Sequence, residues 1–301
     1  MNAAPQKLPA LAFITLLIIA FMMGANHVAA RFAFNDGVNV ATAVTFRSGA
    51  TALVVAVILW WQKVSWQVTA KQRRYLVVIG GLIAVQSIFL YSAVARLPVA
   101  LALLVFNTYP ISTALWARLI YKHQTPKPVL IAMPLLLLGL ALALDVASAT
   151  SDLSAQAHWQ AIGSGVAFGL GASLTFGLAL VLTQHETQGL DGRLRTFTTM
   201  AQVGILAGLF TLSTGGFHLP TMASGWWGLF GLTALYGTAF TIMFTILPKL
   251  GVVGNSAIMN VEPVFALVLA WLLLGQSVNS IQLMGALVVV STVIWLGTRK
   301  K

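Results

Sequence analysis

The sequence predicts an all-α integral membrane protein of ten transmembrane helices, arranged as two inverted-topology repeats of five. Three observations carry this. Over 301 residues, 58% are hydrophobic and only 8% are charged, whereas a soluble domain carries about 25% charged residues. The mean hydropathy is +0.90. Apolar segments of membrane-spanning length recur along the chain, and a shift of 153 residues lays one half on the other.

The segments fall at residues 10–30, 38–61, 75–95, 98–120, 128–147, 160–184, 195–213, 225–247, 252–274 and 279–297. Each is close to the roughly 20 residues that cross about 30 Å of hydrocarbon at 1.5 Å per residue. The first follows Lys7 and resembles a secretory signal, with small residues at Ala29 and Ala30. Its apolar run exceeds the roughly 7–15 residues of a signal core, so it is expected to remain as the first span. Trp60, Trp61 and Trp66 close the second span, and Trp226 and Trp227 open the eighth, as interfacial anchors. Pro98 divides the third from the fourth, and Gly251 divides the eighth from the ninth. In the sixth and seventh, Gly165/Gly169 and Gly204/Gly208 have the GxxxG spacing of close helix packing. The connections are short and hold no GxxxxGK[ST] phosphate loop.

Charge orders these spans. The net charge of +11 sits in short clusters between apolar runs, not interleaved with aromatics along a groove, so nucleic acid is excluded as a partner. With the amino terminus cytoplasmic, fourteen Lys and Arg fall inside, two fall outside (Arg31 and Arg96), and Arg47 lies within a span. The positive-inside rule then puts both termini in the cytoplasm. With no cysteine in the chain, disulfides and thiolate metal sites are excluded.

The repeat aligns "ARLPVALALLVFNTYP" (95–110) with "PKLGVVGNSAIMNVEP" (248–263), matching Leu97 with Leu250, Val99 with Val252, Asn107 with Asn260 and Pro110 with Pro263. Both copies end N-x-[YE]-P. They lie on the fourth and ninth spans, where a five-plus-five duplication requires them. Because five is odd, the second copy enters from the opposite side, as in inverted-repeat secondary transporters. The expected division is residues 1–150 for the first repeat and 151–301 for the second, in one membrane domain.

With "TFRSGATAL" in the second span, "LYSAVARLPVAL" at the third-to-fourth junction and "NVEPVFALVLAWLLLGQ" in the ninth, the chain resembles the EamA-type branch of the drug/metabolite transporter superfamily. The resemblance covers nearly the whole chain. It implies an inner-membrane carrier with a central cavity between the halves, typically an exporter of amino acids, related metabolites or small drugs. Tyr109-Pro110 stands where that family often has Glu-Pro, and His123 and Gln276 stand where it often has Gly-Glu.

Glu262 is the outstanding residue, because a carboxylate near the middle of an apolar helix costs about 2.5–3.5 kcal/mol on insertion scales. On a helix, Asn255 and Glu262 share a face, and Pro263 frees backbone acceptors near the carboxylate. Two readings stand: a substrate or proton-coupling site, and a buried tie between helices. Arg47 lies at the same depth from the other side and has no neutral form to escape into. It is read either as the ligand of a substrate carboxylate or as a structural partner of the fold. If both helices face one cavity, Arg47 and Glu262 are expected to pair when it is empty. His27 is read as a packing histidine that could also titrate near neutral pH.

The other candidates are Asn260, Asn107, Tyr109, Tyr91, Gln86, Gln202 and Tyr236. Taken singly, each fits an interhelical hydrogen bond; together they suit a partly aromatic cavity for a small amphipathic solute. The expected partners are a small-molecule substrate, protons and the lipid bilayer, with no cofactor. A secondary carrier accounts for the repeat and the mid-depth charges together, and a multidrug or nucleobase carrier of the same fold is the alternative substrate reading. Enzymatic activity is not expected, since no HExxH motif is present and the five histidines are scattered. A membrane sensor or assembly protein would need a larger loop or tail.

Overall fold

A computed structural model describes residues 10–123, 127–143, 153–245, 261–276 and 279–298. Every regular element among the described residues is helical: α1 (Ala10–Asn35), α2 (Val40–Trp61), α3 (Ala70–Arg96), α4 (Val99–Phe106), α5 (Tyr109–Tyr121), α6 (Lys127–Ala143), α7 (Leu153–Glu186), α8 (Gly192–Ser213), α9 (Ala223–Thr245), α10 (Glu262–Leu274) and α11 (Ser280–Thr298). Among the described residues, six stretches are long and apolar enough to cross a membrane: Phe13–Asn35, Val40–Trp61, Ala70–Arg96, Val99–Tyr121, Ile162–Glu186 and Gly192–Ser213. Leu130–Ala143, Glu262–Leu274 and Ser280–Thr292 are shorter apolar helices.

Helix starts follow local chemistry. Thr69 and Gln72 form a reciprocal capping box that starts α3 five residues before the apolar run. The Asn39 side chain accepts from the Thr42 backbone N–H at 2.7 Å to cap α2. At the head of α8, Asp191 accepts from the Arg193 N–H, and the adjoining Arg193 guanidinium holds the Asp191 carboxyl below its usual range.

The fourth apolar segment is not one continuous helix. Pro110 lacks the N–H that would continue the ladder, so α4 ends at Asn107, whose amide folds back onto the Leu103 carbonyl at 2.7 Å. α5 then starts afresh with Pro110 in its first turn.

α10 starts and ends as α5 does, 153 residues later. It has the same 13-residue length and a proline in its first turn. The preceding residues match, Thr108 at φ −73°, ψ −3° and Val261 at φ −81°, ψ −2°. Both helices end on a left-handed residue, Lys122 and Gly275. His123 N–H then reaches Ala117 O, and Gln276 N–H reaches Ala270 O, each at 3.2 Å. The segment preceding α10, with Asn255 and Asn260, lies outside the described residues.

The helices pack in a pattern that survives exchange of the two halves: α3 on α7 and α1 on α9, α5 on α7 and α1 on α10, with α2 on α8 and α6 on α11 pairing across the middle. α1 runs alongside α3 in the same direction, Asn26 meeting Tyr91 and Arg31 meeting Val94. α7 runs against α3: Lys71 meets Glu186 at one end and Gly165 meets Leu97 near the other. Small residues permit the closest crossings. A Cβ on Gly204 would lie 3.2 Å from the Gly49 backbone nitrogen, and a Cβ on Gly24 would lie 2.9 Å from the Glu262 carbonyl oxygen. α4 sits at the centre of one core cluster, with Leu101–Val105 joined by Ala266 and Ala270 of α10 and Val289 of α11.

Candidate functional site

The Gly24 crossing presses α1 onto the first turn of α10, so His27, one turn further along α1, faces Glu262. His27 Nε2 lies 3.3 Å from Glu262 Oε1. The contact has hydrogen-bond length whichever partner holds the proton. The His27 side chain is 3% exposed and that of Glu262 is 21% exposed.

Beside this couple runs a second polar chain. Asn26, adjacent to His27, accepts from the Tyr91 hydroxyl of α3. That hydroxyl in turn accepts from the Arg47 guanidinium of α2 at 3.2 Å. A second Arg47 nitrogen donates to Ser87 Oγ at 2.9 Å, and Ser87 Oγ donates to Gln86 Oε1 at 3.5 Å. The guanidinium lies over the Tyr236 ring of α9 at 3.8 Å from its centroid and over Tyr91 at 4.8 Å, so two aromatic faces supply part of what water would have supplied. Arg47 is 3% exposed. Three buried atoms here, Arg47 Nε, His27 Nδ1 and Ser48 Oγ, have no hydrogen-bond partner among the described residues.

Arg47 and Glu262 therefore do not meet as a direct ion pair. Each holds another partner, and the two chains adjoin through the neighbours Asn26 and His27. His27 is more than a packing residue, since its ring caps the carboxylate. The Glu262 carboxylate is within electrostatic reach of Tyr91, Tyr109 and Tyr236.

The remaining candidates separate. Tyr109 starts α5 and packs on Phe106 and Phe176 at 5.6 and 5.2 Å between centroids. Asn107 is spent on the α4 carbonyl, as above. Gln202 bridges α8 to α3, donating to Leu76 O at 3.2 Å and to Thr198 O at 3.0 Å, and it packs on Gly80 two turns from Ser87. It ties helices away from the charges. Ser87 was missed in the sequence. The signal for it is its spacing from Tyr91, i to i+4, which sets both hydroxyls on the face of α3 that Arg47 needs.

Among the described residues no cluster of His, Cys, Asp and Glu suits a metal ion. What the arrangement can do is bind: a fixed cation with a spare N–H, a carboxylate with an imidazole, and aromatic walls, gathered from α1, α2, α3, α9 and α10.

No curated protein matches the chain. A solved crystal structure of another protein has the same fold, with a TM-score of 0.61 over 96% of this chain and 96% of that one, at 15% identity. The family model described as the EamA-like transporter family matches twice, over residues 10–144 and again over 163–298. The two matches fall on the two halves, with α5 and Arg47 in the first and α10 and Glu262 in the second, and the chain belongs to the EamA-like transporter family.

Proposed function

We propose that this membrane transporter is a secondary carrier, moving amino acids or related small metabolites outward across the inner membrane by alternating access. In this reading ten spans form two inverted repeats, residues 1–150 and 151–301, with both termini cytoplasmic. The observation that carries it is the opposed pair of mid-depth charges, Arg47 and Glu262, contributed by different halves and held by α1 and α3. A charge placed there is costly unless it serves a binding or coupling step, and inverted-repeat carriers bind at the midplane between their halves. The opposite directions of α1 and α7 support the inversion, and the half-exchange in helix packing supports a two-state rocking of one half on the other.

Glu262 is assigned the coupling role, with His27 Nε2 beside it at 3.3 Å. A carboxamide keeps the hydrogen-bonding shape without the titration. Glu262→Gln is therefore expected to abolish pH-gradient-driven uptake into proteoliposomes while leaving solute exchange measurable. Gradient-driven uptake at the wild-type rate in that variant would remove the coupling role.

A further inference from the structure

Two helix ends place a long side chain where the backbone favours glycine. Among the described residues the non-glycine positions with positive φ are Lys63 at 49° and Lys122 at 54°, and both are lysines, closing α2 and α5. The repeat counterparts of these helices, α8 and α10, close on left-handed glycines, Gly215 with Gly216 and Gly275. The shift of 153 carries Lys63 onto Gly216 and Lys122 onto Gly275. The lysine ends share the side of Lys71 and Glu186, which Tyr121 joins. The glycine ends share the other side, where Asn39 donates to Gly216 O and Val99 N–H donates to Gln276 Oε1. A side chain strains this conformation and glycine does not. Lysine suits a helix C-terminus and sets orientation in the membrane, but any place in the last turn or the loop serves both ends. The left-handed placement needs a further reason.

At the end of α2 the surroundings supply one. Lys63 N–H donates to Trp60 O and Val64 N–H to Leu59 O, at 3.2 and 3.1 Å, the pair of bonds that stops a helix sharply. The chain then folds back onto α8, where Val64 packs with Leu59 and Leu194, and Trp66 meets Phe197 edge-on at 5.4 Å between centroids. The result is a cleft of about 420 Å³ lined by Leu59, Trp60, Trp61, Lys63, Val64 and Trp66. Its three indoles stay open, at 80%, 78% and 56% exposed. The ion pairs at this end, Lys71 with Glu186 and Arg193 with Asp191, are closed on themselves. Among the described residues, the Lys63 ammonium therefore has no acidic partner.

We infer that this cleft binds an anionic phospholipid, with the phosphate on Lys63 and the glycerol and upper acyl carbons against the tryptophans. One cation among apolar walls matches a monoanion carried on an apolar body, and the end of a membrane span is where such a molecule stands. A free phosphate would use the lysine and leave the walls idle. The inference goes beyond the carrier reading and holds whichever solute is moved.

The probe is dioleoylphosphatidylglycerol, with dioleoylphosphatidylcholine as the zwitterionic control and glycerol 3-phosphate as the free headgroup. Each is titrated into the purified full chain in detergent and followed by native mass spectrometry and thermal shift. Phosphatidylglycerol is expected to bind and to raise the unfolding temperature more than either of the others. Lys63→Gly should weaken its binding about fivefold, the scale of one lysine at an anionic surface. The same substitution relieves the backbone, so the lipid-free variant should unfold no earlier than the unaltered protein. Lys63→Arg should retain the lipid. On the unaltered protein, brominated phosphatidylglycerol should quench tryptophan fluorescence more strongly than brominated phosphatidylcholine, which keeps the test independent of any variant's folding. Equal binding or quenching by the two lipids, an equal shift with glycerol 3-phosphate, or undiminished phosphatidylglycerol binding in Lys63→Gly would each overturn the inference.

Discussion

Tyr91 and Tyr236 both touch Arg47, but through different atoms, and substitutions separate the two roles. The Tyr91 hydroxyl accepts from Arg47 and donates to Asn26. Tyr91→Phe leaves both buried partners short and should cost about 1–3 kcal/mol of stability in detergent. Among the described residues the Tyr236 hydroxyl reaches the Met200 sulfur at 3.6 Å and no other hydrogen-bond partner, while its ring carries the guanidinium. Tyr236→Phe should therefore change stability by less than about 0.5 kcal/mol, and Tyr236→Leu, which removes the ring, by up to about 2 kcal/mol. Equal losses in both phenylalanine variants would show that the hydroxyls, not the ring, hold Arg47. The same geometry resets the coupling expected between charges. A double-mutant cycle on His27→Gln and Glu262→Gln should show an interaction above about 0.5 kcal/mol, and one on Arg47→Gln and Glu262→Gln should be additive within about that amount. The sequence made Arg47 and Glu262 visible because charge inside an apolar run is conspicuous. Their partners were not visible, since an Asn26, a His27 or a Ser87 in an apolar helix has no distinctive spacing until the crossing points of α1, α2 and α3 are known.

The crossing points are properties of elements, and the repeat fixes two of them together. Gly24 on α1 and Gly177 on α7 are 153 residues apart. A Cβ on Gly24 would lie 3.0 Å from the Ala266 nitrogen of α10, and a Cβ on Gly177 would lie 2.8 Å from the Thr113 nitrogen of α5. These obstacles are backbone, which cannot swing aside. Gly24→Ala and Gly177→Ala should each destabilise the protein by about 1–3 kcal/mol, the cost of overpacking a close contact. Gly81→Ala on α3 meets nothing within 4 Å, so there the gain in helix propensity should stabilise by up to about 1 kcal/mol. A neutral Gly24→Ala would mean that α1 and α10 stand further apart and that His27 does not hold Glu262. What fills the two crossings differs: Glu262 with His27 at one, Tyr109 with Phe176 at the other. One crossing carries the imidazole and carboxylate and the other an aromatic pair, each drawing one residue from each half. The N-x-[YE]-P alignment marked the correspondence of the two segments, whereas the break between α4 and α5 was not expected, the span over 98–120 being read as one helix despite Pro110. Gly24 and Gly177 went unremarked, since 26 glycines in a membrane chain give no indication of which ones touch a backbone.

At the scale of the whole molecule, the arrangement of helices and their orientation in the membrane rest on different physics. Helix directions follow from packing: α2 lies against α8 with Gly49 at Gly204 and Leu59 near Leu194, so the pair is antiparallel. Which end faces the cytoplasm follows instead from the asymmetry of Lys and Arg, a property of insertion that packing does not record. The ends differ in kind. One carries Lys71 with Glu186 at 2.8 Å and Arg193 with Asp191 at 2.6 Å. The other carries Asp36, which accepts from Thr221 and from the Met222 N–H ahead of α9, and Arg31, which donates to the Val94 carbonyl at the end of α3. Because the chain has no cysteine, single cysteines report orientation without background. Substitutions at Gln72 and Gln188, whose side chain and backbone meet at 3.1 Å, should be labelled by impermeant reagents from the cytoplasm alone. Those at Asp152 and Gly216 should be labelled from outside alone, as should one at Asp36, at the cost of the cap it provides to α9. Labelling of Gln72 and Gln188 from opposite sides would break both the α3–α7 pairing and the ten-span path. Labelling of both from outside would keep the helix arrangement and reverse its orientation.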